Sequence, residues 1–333
     1  MTVGRFAPSP SGPLHVGNLR TALIAWCLAR EGGGSFLVRV EDLTTGAEPI
    51  GEAEHLADLA ALGLVHDGPV VRQSERTASY DAAIDRLVTT GVTYPCFCTR
   101  REIRREIERA SEAPHGPSLD DAYPGTCRNL TDAERSARLT VGRPAAVRLR
   151  AGGETVGFVD GFVGPVQRVV DDFVLRRADG LAAYNLAVVV DDAAAGVDQV
   201  VRGDDLVDTT PRQILLQRML GLPTPEYVHV PLVLGLDGER LAKRHGAVSR
   251  TELERRGVGS RDLLARLARS IGIQSPGHDG GGTVTTGAAL VERFDLGRLP
   301  RGPVTFDTLV ADFTTGSPPS GDDPARDDPD ENT

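Results

Sequence analysis

The strongest constraint in this sequence is an alternation of short apolar runs with amphipathic segments, which starts at residue 3, breaks at Cys96 and resumes after residue 170. GRFAPSPSG reads as a short strand running into a Pro/Gly-rich turn. PLHVGNLRTALIAWCLAR reads as a turn opening a helix with Leu19, Leu23, Trp26 and Cys27 inward. FLVRVED follows as a strand rich in branched and apolar residues, with GEAEHLADLAALGL and RTASYDAAIDRLVTTG as helices. Strand–helix–strand–helix order is the signature of a parallel sheet, whose neighbouring strands need crossover connections. Beyond Cys96 the pattern gives way to cysteines, an arginine-rich helix, PHGPSLDDAYPG and the strand-like AAVRLR and TVGFVDGFVG, which together read as an inserted subdomain. Sheet-like patterning returns with DDFVLRR, YNLAVVVDDAAAG, VDQVVRGDD and VHVPLVLG, and TPRQILLQRMLGL is a helix. The expected fold class is therefore α/β, a nucleotide-binding domain split by an insertion.

The sequence divides at residues 1–95 (first half of the catalytic domain), 96–170 (insert), 171–248 (second half), 249–312 (a short helical C-terminal region) and 313–333 (a disordered acidic tail). The tail carries half of the net charge of −10, so a mildly acidic body remains that can still present a local basic face. With no signal peptide, no membrane-length apolar run and only four cysteines, a cytoplasmic protein is expected, without membrane contact and monomeric.

Among 37 basic residues there is one lysine, Lys243, in ERLAKRHG. In a chain that otherwise uses arginine, this position reads as one where an ammonium is needed. An ammonium is a compact point charge on a flexible stem that can follow a moving phosphate, whereas a guanidinium is a stiff planar fork. At the other end of the sheet, PSPSGPLHVGN has prolines that stiffen a turn, Gly12 and Gly17 that allow close backbone approach, and His15 where a helix starts. Helix N-termini present unpaired N–H groups and partial positive charge to anions, and His15 can add a donor. Cys96, Cys98 and Cys127 group in the insert as thiolate ligands for zinc. Coordination chemistry alone favours His115 as the fourth ligand.

The strings RFAPSPSGPLHVGN, RVED, QSER, AYNLAVVVDD, VVRGDDL and RLAKRHG, in this order between residue 5 and about residue 250, resemble the catalytic core of glutamyl-tRNA synthetases. His15–Asn18 stands where class I aminoacyl-tRNA synthetases have HIGH, and Arg240–Arg244 where they have KMSKS. Asn18 replaces the second histidine and Ala242 the serine before the lysine. The short C-terminal region and the spacing CFC…YPGTC are similar to the truncated glutamyl-queuosine tRNA(Asp) synthetase branch of the family. The resemblance implies a Rossmann-like parallel sheet, an inserted zinc-binding acceptor-type subdomain and no anticodon-binding domain.

The resemblance also implies site residues. His15 and Lys243 would be catalytic, and His15, Gly17, Asn18 and Lys243 would bind ATP. Arg5, Ala7, Ser9, Glu41, Tyr184 and Arg202 would bind glutamate. Cys96, Cys98, Tyr123 and Cys127 would hold one structural zinc, with Tyr123 taking the place that chemistry alone gives to His115. The substrates implied are ATP with Mg²⁺, L-glutamate and tRNA(Asp), in formation of glutamyl-adenylate and transfer to queuosine. Alternatives are a compact glutamyl-tRNA synthetase charging a tRNA 3′ end and a non-catalytic tRNA-binding paralogue. Arg101, Arg105 and Arg109 at i, i+4 and i+8 suit either RNA phosphates or a helix laced by ion pairs with Glu102, Glu106 and Glu108.

Overall fold

The computed structural model describes residues 1–43, 51–111, 123–235, 237–239, 241, 249–273 and 287–306. Five parallel strands make its central sheet: β1 (Val3–Phe6), β2 (Ser35–Val40), β3 (Val71–Arg72), β9 (Gln199–Gly203) and β10 (Glu226–Val230), in the spatial order β10-β9-β1-β2-β3. Both faces of the sheet are covered, so its strands alternate between two apolar environments rather than between core and water. Phe36, Val38, Val201, Val228 and Val230 face one cluster, and Leu37, Val200 and Tyr227 face the other.

The first cluster is built on α1 (Val16–Arg30), a helix buried nearly all round. Leu19, Leu23, Trp26 and Cys27 all point inward, and burial pushes the Cys27 thiol up to about 12. Against α1 lie α2 (Glu52–Ala61), α8 (Arg250–Arg255), α9 (Ser260–Ser270) and α10 (Gly287–Arg293). Arg20 of α1 is fully buried and donates to the carbonyls of Pro231 (2.7 Å) and Ser270 (3.3 Å), which joins helix, sheet end and C-terminal region at one guanidinium. A strand pair, β11 (Val233–Leu234) with β12 (Val304–Thr305), brings the last described segment back beside the sheet.

On the other face lie α3 (Thr77–Thr89), α6 (Tyr184–Ala194) and α7 (Thr210–Leu220). The α6 segment, YNLAVVVDDAAAG, differs from its strand-like reading. Its valine run has strand composition, but Leu186, Ala187 and Val189 pack into the core while Asp191 and Asp192 turn toward buried arginines, an arrangement a helix permits over eleven residues. Tertiary packing overrides the β-branched preference here.

Between α3 and α6 sits the insert. β4 (Thr93–Cys96), β5 (Ala146–Leu149) and β8 (Val174–Arg176) form an antiparallel sheet, and β6 (Thr155–Asp160) and β7 (Gly164–Val169) form a hairpin against β10. Two helices, α4 (Arg100–Ser111) and α5 (Asp132–Thr140), complete it. Among the described residues no helix is long and apolar enough to cross a membrane.

Candidate active site

In an open parallel sheet, ligands lie beyond the carboxyl ends of the strands, where the direction of chain crossing reverses. Here that point lies between β1 and β9, and a cleft of about 1020 Å³ opens there. Its walls include Arg5, Ala7, Ser9, His15, Gly17, Asn18, Glu41, Tyr184 and Arg202. The structure thus brings together at one cavity nine sequence-selected residues that are spread over almost 200 positions. Lys243, the other residue selected for catalysis and ATP binding, lies outside the described residues. The residues nearest it on either side that are described, Leu241 and Ser249, both meet the cleft's lining: Leu241 N–H bonds the Val233 carbonyl at 3.1 Å, and Ser249 forms a β-bridge with His15.

His15 is the N-cap of α1. Its Nδ1 accepts from the Asn18 N–H at 3.2 Å, and its own N–H donates to Asn18 Oδ1 at 3.2 Å, closing a capping box. With Nδ1 an acceptor, the neutral ring carries its proton on Nε2. The main chain of residue 18 holds the His15 ring, and the Asn18 side chain, the departure from HIGH, closes the box on the His15 main-chain N–H. Gly17 makes room for it: a Cβ there would sit 3.0 Å from His15 Nδ1 and Cε1 and 3.2 Å from Val233 Cβ.

Three buried arginines surround the deep end. Arg5 donates from Nε to Asp192 (3.2 Å) and from Nη1 to the Val201 carbonyl (3.3 Å). Arg39, just before Glu41, bonds Asp192 at 2.5 Å and Glu41 at 3.2 Å. Burial would raise the Asp192 carboxyl, but Arg39 and Arg5 outweigh it and hold Asp192 below the ordinary value. Glu41 goes the other way, because burial pushes it up by more than Arg39 and Arg5 pull it down. A cation beside Glu41 would restore its ionised form.

Arg202 is different. It is 6% exposed, and its partners are His229 Nε2 (3.0 Å), Tyr184 Oη (3.4 Å) and Thr210 Oγ1 (2.7 Å), all neutral groups. Among the described residues it forms no ion pair; Asp192 acts on it only through space, so a buried positive charge faces the cleft without a carboxylate bonded to it. Such a group calls for an anion. Tyr184 is 39% exposed beside it, into the cleft rather than into the core. The sequence reading missed Arg39, Asp191, Asp192, Asp160 and His229. Two adjacent acids ending the apolar run of α6 were the available signal for the aspartates, since such acids in a buried helix need basic partners.

In the insert, the Sγ atoms of Cys96, Cys98 and Cys127 lie within 4.8 Å of one another. Tyr123 Oη is 3.4 Å from Cys96 Sγ and 3.6 Å from Cys98 Sγ, and Cys98 and Cys127 are 3.5 Å apart. A tetrahedral zinc with Zn–S of about 2.3 Å and Zn–O of about 2.0 Å sets S···S edges near 3.8 Å and S···O edges near 3.5 Å. The donor set therefore fits a metal with Tyr123 at the fourth corner; His115 lies outside the described residues. The hydrogen bond from Cys98 draws the Cys96 thiol down to about 4, while the same contact pushes Cys98 up. Thiols this close cannot all ionise unless a cation joins them.

On α4 beside this cluster, Arg100, Arg101, Arg104 and Arg105 are exposed and form no ion pair among the described residues. Glu102 is engaged by Arg143 and by the Thr99 N–H, and Glu106 by the Thr126 hydroxyl. Among the described side chains of the helix, then, none of these arginines pairs with Glu102 or Glu106. Arg109 lies among residues whose side chains are not described.

The family model for class I tRNA synthetases (E and Q), catalytic domain, matches residues 1–308. A glutamyl-Q tRNA(Asp) synthetase of Nocardia farcinica (strain IFM 10152) is 56% identical over 301 residues, covering 90% of this chain and 91% of that protein. One from Symbiobacterium thermophilum is 45% identical over 327 residues, covering 93% of this chain and 98% of its own length. Among solved structures, a glutamate tRNA ligase from Elizabethkingia meningosepticum CCUG26117, crystallised in complex with its amino acid, superposes with a TM-score of 0.75 at 26% identity. That match covers 92% of this chain and 68% of the ligase.

Proposed function

The chain belongs to the glutamyl-Q tRNA(Asp) synthetases within the class I tRNA synthetase family and is a ligase, and from that premise we propose that it activates L-glutamate with ATP and transfers it to queuosine in tRNA(Asp). The observation that carries the reading is Arg202, a buried guanidinium whose neutral partners leave its charge for a substrate anion. The side-chain carboxylate of glutamate is that anion, held with Arg5 and with Tyr184, while Glu41 receives the α-ammonium and Ala7 and Ser9 line the backbone side.

The α-carboxylate then attacks the α-phosphorus of ATP. The new carbon–oxygen–phosphorus link forms glutamyl-adenylate, and pyrophosphate leaves with its Mg²⁺. Little covalent chemistry falls to the protein, so positioning and charge stabilisation dominate. The N-terminus of α1 and His15 Nε2–H serve the phosphates from one side, with Gly17 and Asn18 holding the ring in place. Lys243 follows the charge that develops on the departing phosphates. In the second step a queuosine hydroxyl attacks the glutamyl carbonyl and AMP leaves.

Cys96, Cys98, Tyr123 and Cys127 would hold zinc, which when bound neutralises the clustered thiolates and ties α4 to the sheet of the insert. The unpaired arginines of α4 favour RNA backbone contact. Glutamate-dependent exchange of pyrophosphate into ATP, measured without tRNA, tests the first step; no exchange would leave an RNA-binding paralogue. Glutamylation of tRNA(Asp) with and without queuosine tests the second, and an ester at the 3′ end of tRNA(Glu) would replace this function with that of a compact glutamyl-tRNA synthetase.

A further inference from the structure

We propose that His229 and Asp160 are specificity-determining positioning residues, which hold Arg202 aimed at the substrate carboxylate without neutralising it. The inference rests on the glutamate reading of the cleft. Neither residue lines that cleft. His229 is fully buried on β10, and Asp160 ends β6 of the insert, 69 positions earlier in the chain.

The hydrogen bonds fix the tautomer of the imidazole. Asp160 accepts from the N–H groups of Phe162 and Val163, each at 2.9 Å, from the His229 N–H and from His229 Nδ1 at 2.6 Å. A carboxylate with so many donors is ionised, and it places the imidazole proton on Nδ1. Nε2 is therefore the acceptor, and it takes the Arg202 Nε–H at 3.0 Å. The Thr210 hydroxyl accepts from Arg202 Nη2 at 2.7 Å, and its own proton has two acceptors at 3.1 Å, the Leu206 carbonyl and His229 Nε2; in either case Nε2 stays an acceptor and the Arg202 contact is kept. Tyr227, two residues earlier on the same strand, lies parallel to the imidazole, with an interplanar angle of 12° and ring centroids 6.1 Å apart.

The side-on edge of the guanidinium, Nε with Nη2, is thereby committed to His229 and Thr210. Nη1 is left beside the Tyr184 hydroxyl at the cleft wall. A carboxylate placed directly on Nε would orient the arginine equally well, but it would cancel the charge. The neutral imidazole acts as a spacer: it transmits the orientation imposed by Asp160 and keeps the negative charge one ring away. Burial holds the His229 pKa below its ordinary value, which keeps the spacer neutral. Through this relay the insert hairpin sets the geometry of a residue in the other half of the catalytic domain.

Two substitutions at one position separate this role from simple anchoring of the hairpin. In His229→Gln, the amide oxygen takes the place of Nε2 and keeps an acceptor for Arg202, but the donor to Asp160 is lost. In His229→Asn, the amide takes the place of Nδ1, which keeps the Asp160 contact and removes the acceptor. The assays are glutamate-dependent pyrophosphate exchange, with KM taken separately for glutamate and ATP, and thermal-shift binding of L-glutamate and L-glutamine. His229→Asn is expected to raise KM for glutamate about 10- to 100-fold, to leave KM for ATP unchanged and to lower the preference for glutamate over glutamine. His229→Gln keeps the acceptor for Arg202 but frees it from Asp160, so it is expected to raise KM for glutamate by a smaller factor, roughly 3- to 10-fold, and to leave KM for ATP unchanged. The opposite order, Gln worse than Asn, would assign His229 to hairpin anchoring and overturn the inference. Should the Asn protein not fold, the Gln protein alone decides: a rise confined to KM for glutamate supports the relay, and an unchanged KM for glutamate overturns it. Wild-type exchange with an unchanged glutamate-to-glutamine ratio in the variants overturns this inference alone. Failure of the wild type to bind either amino acid overturns it together with the function it rests on.

Discussion

Replacing Gly17 with alanine separates activity from stability. The backbone at Gly17 is ordinary helix, so alanine fits it, and the loss of a flexible residue from α1 stabilises by about 0.5–1 kcal/mol. The added methyl stands 3.0 Å from His15 Nδ1 and Cε1 and 3.2 Å from Val233 Cβ. An unstrained carbon contact needs about 3.5 Å, so the imidazole has to retreat by about 0.5 Å. That movement stretches the 3.2 Å bond from the Asn18 N–H to Nδ1, a capping contact worth about 1 kcal/mol. The two stability effects oppose each other, and the melting temperature should move by no more than about 4 °C. The rate has no such compensation, since a misplacement of about 1 Å in a positioned group can cost 100-fold, and half of that distance corresponds to roughly tenfold. The assay is pyrophosphate exchange at saturating glutamate, run beside calorimetric melting. Exchange at the wild-type rate would show that the His15 ring has no part in the chemistry. A melting temperature lowered by 10 °C or more would show that the capping arithmetic is wrong.

Lys243→Arg should lower the exchange rate far more than it weakens ATP binding, measured by single-turnover kinetics against ATP titration; equal rates would remove the lysine from the transition state. Purified protein should carry one zinc, and Tyr123→Phe, which keeps the ring under the Arg148 guanidinium at 3.7 Å, should weaken retention tenfold or more in competition with a chromophoric chelator. Unchanged retention would exclude the phenol as a ligand. For Asp172, burial would raise the carboxyl, but hydrogen bonds from Arg128 and Tyr94 outweigh it and hold it below 3.8. Its contribution is therefore fully present above the unfolded value and disappears as the pH falls through the lower folded value. Asp172→Asn should cost about 2 kcal/mol in urea unfolding at pH 7 and progressively less below pH 4; a constant difference across that range would refute the assignment.

Much of the sheet was legible because its strands are short, apolar and bounded by turns: GRF, FLVRV and VDQVVRG lie on β1, β2 and β9. α6 was not legible, because Val188–Val190 carries strand composition and the force that makes it a helix lies in Arg5, Arg39 and Arg76, which receive Asp191 and Asp192. The nine cleft residues could be chosen because the local strings that hold them resemble the glutamyl-tRNA synthetase core. The Asp160–His229 pair could not. Its members are far apart in sequence, and only the packing of the hairpin on β10 joins them. The sole trace was a histidine in VHVPLV at the same alternation phase as Tyr227, on a strand with no solvent face.

The placement of β1 has a consequence for how this enzyme is made. The strand is synthesised almost 200 residues ahead of one of its two neighbours, β9, whose Gln199 meets Gly4. Until translation has passed that point, the strand waits with one edge open, the kind of exposed edge that invites wrong partners. Newly emerging N-terminal segments of this protein are therefore natural clients for chaperones, and slow synthesis between the two strands should reduce the yield of soluble enzyme.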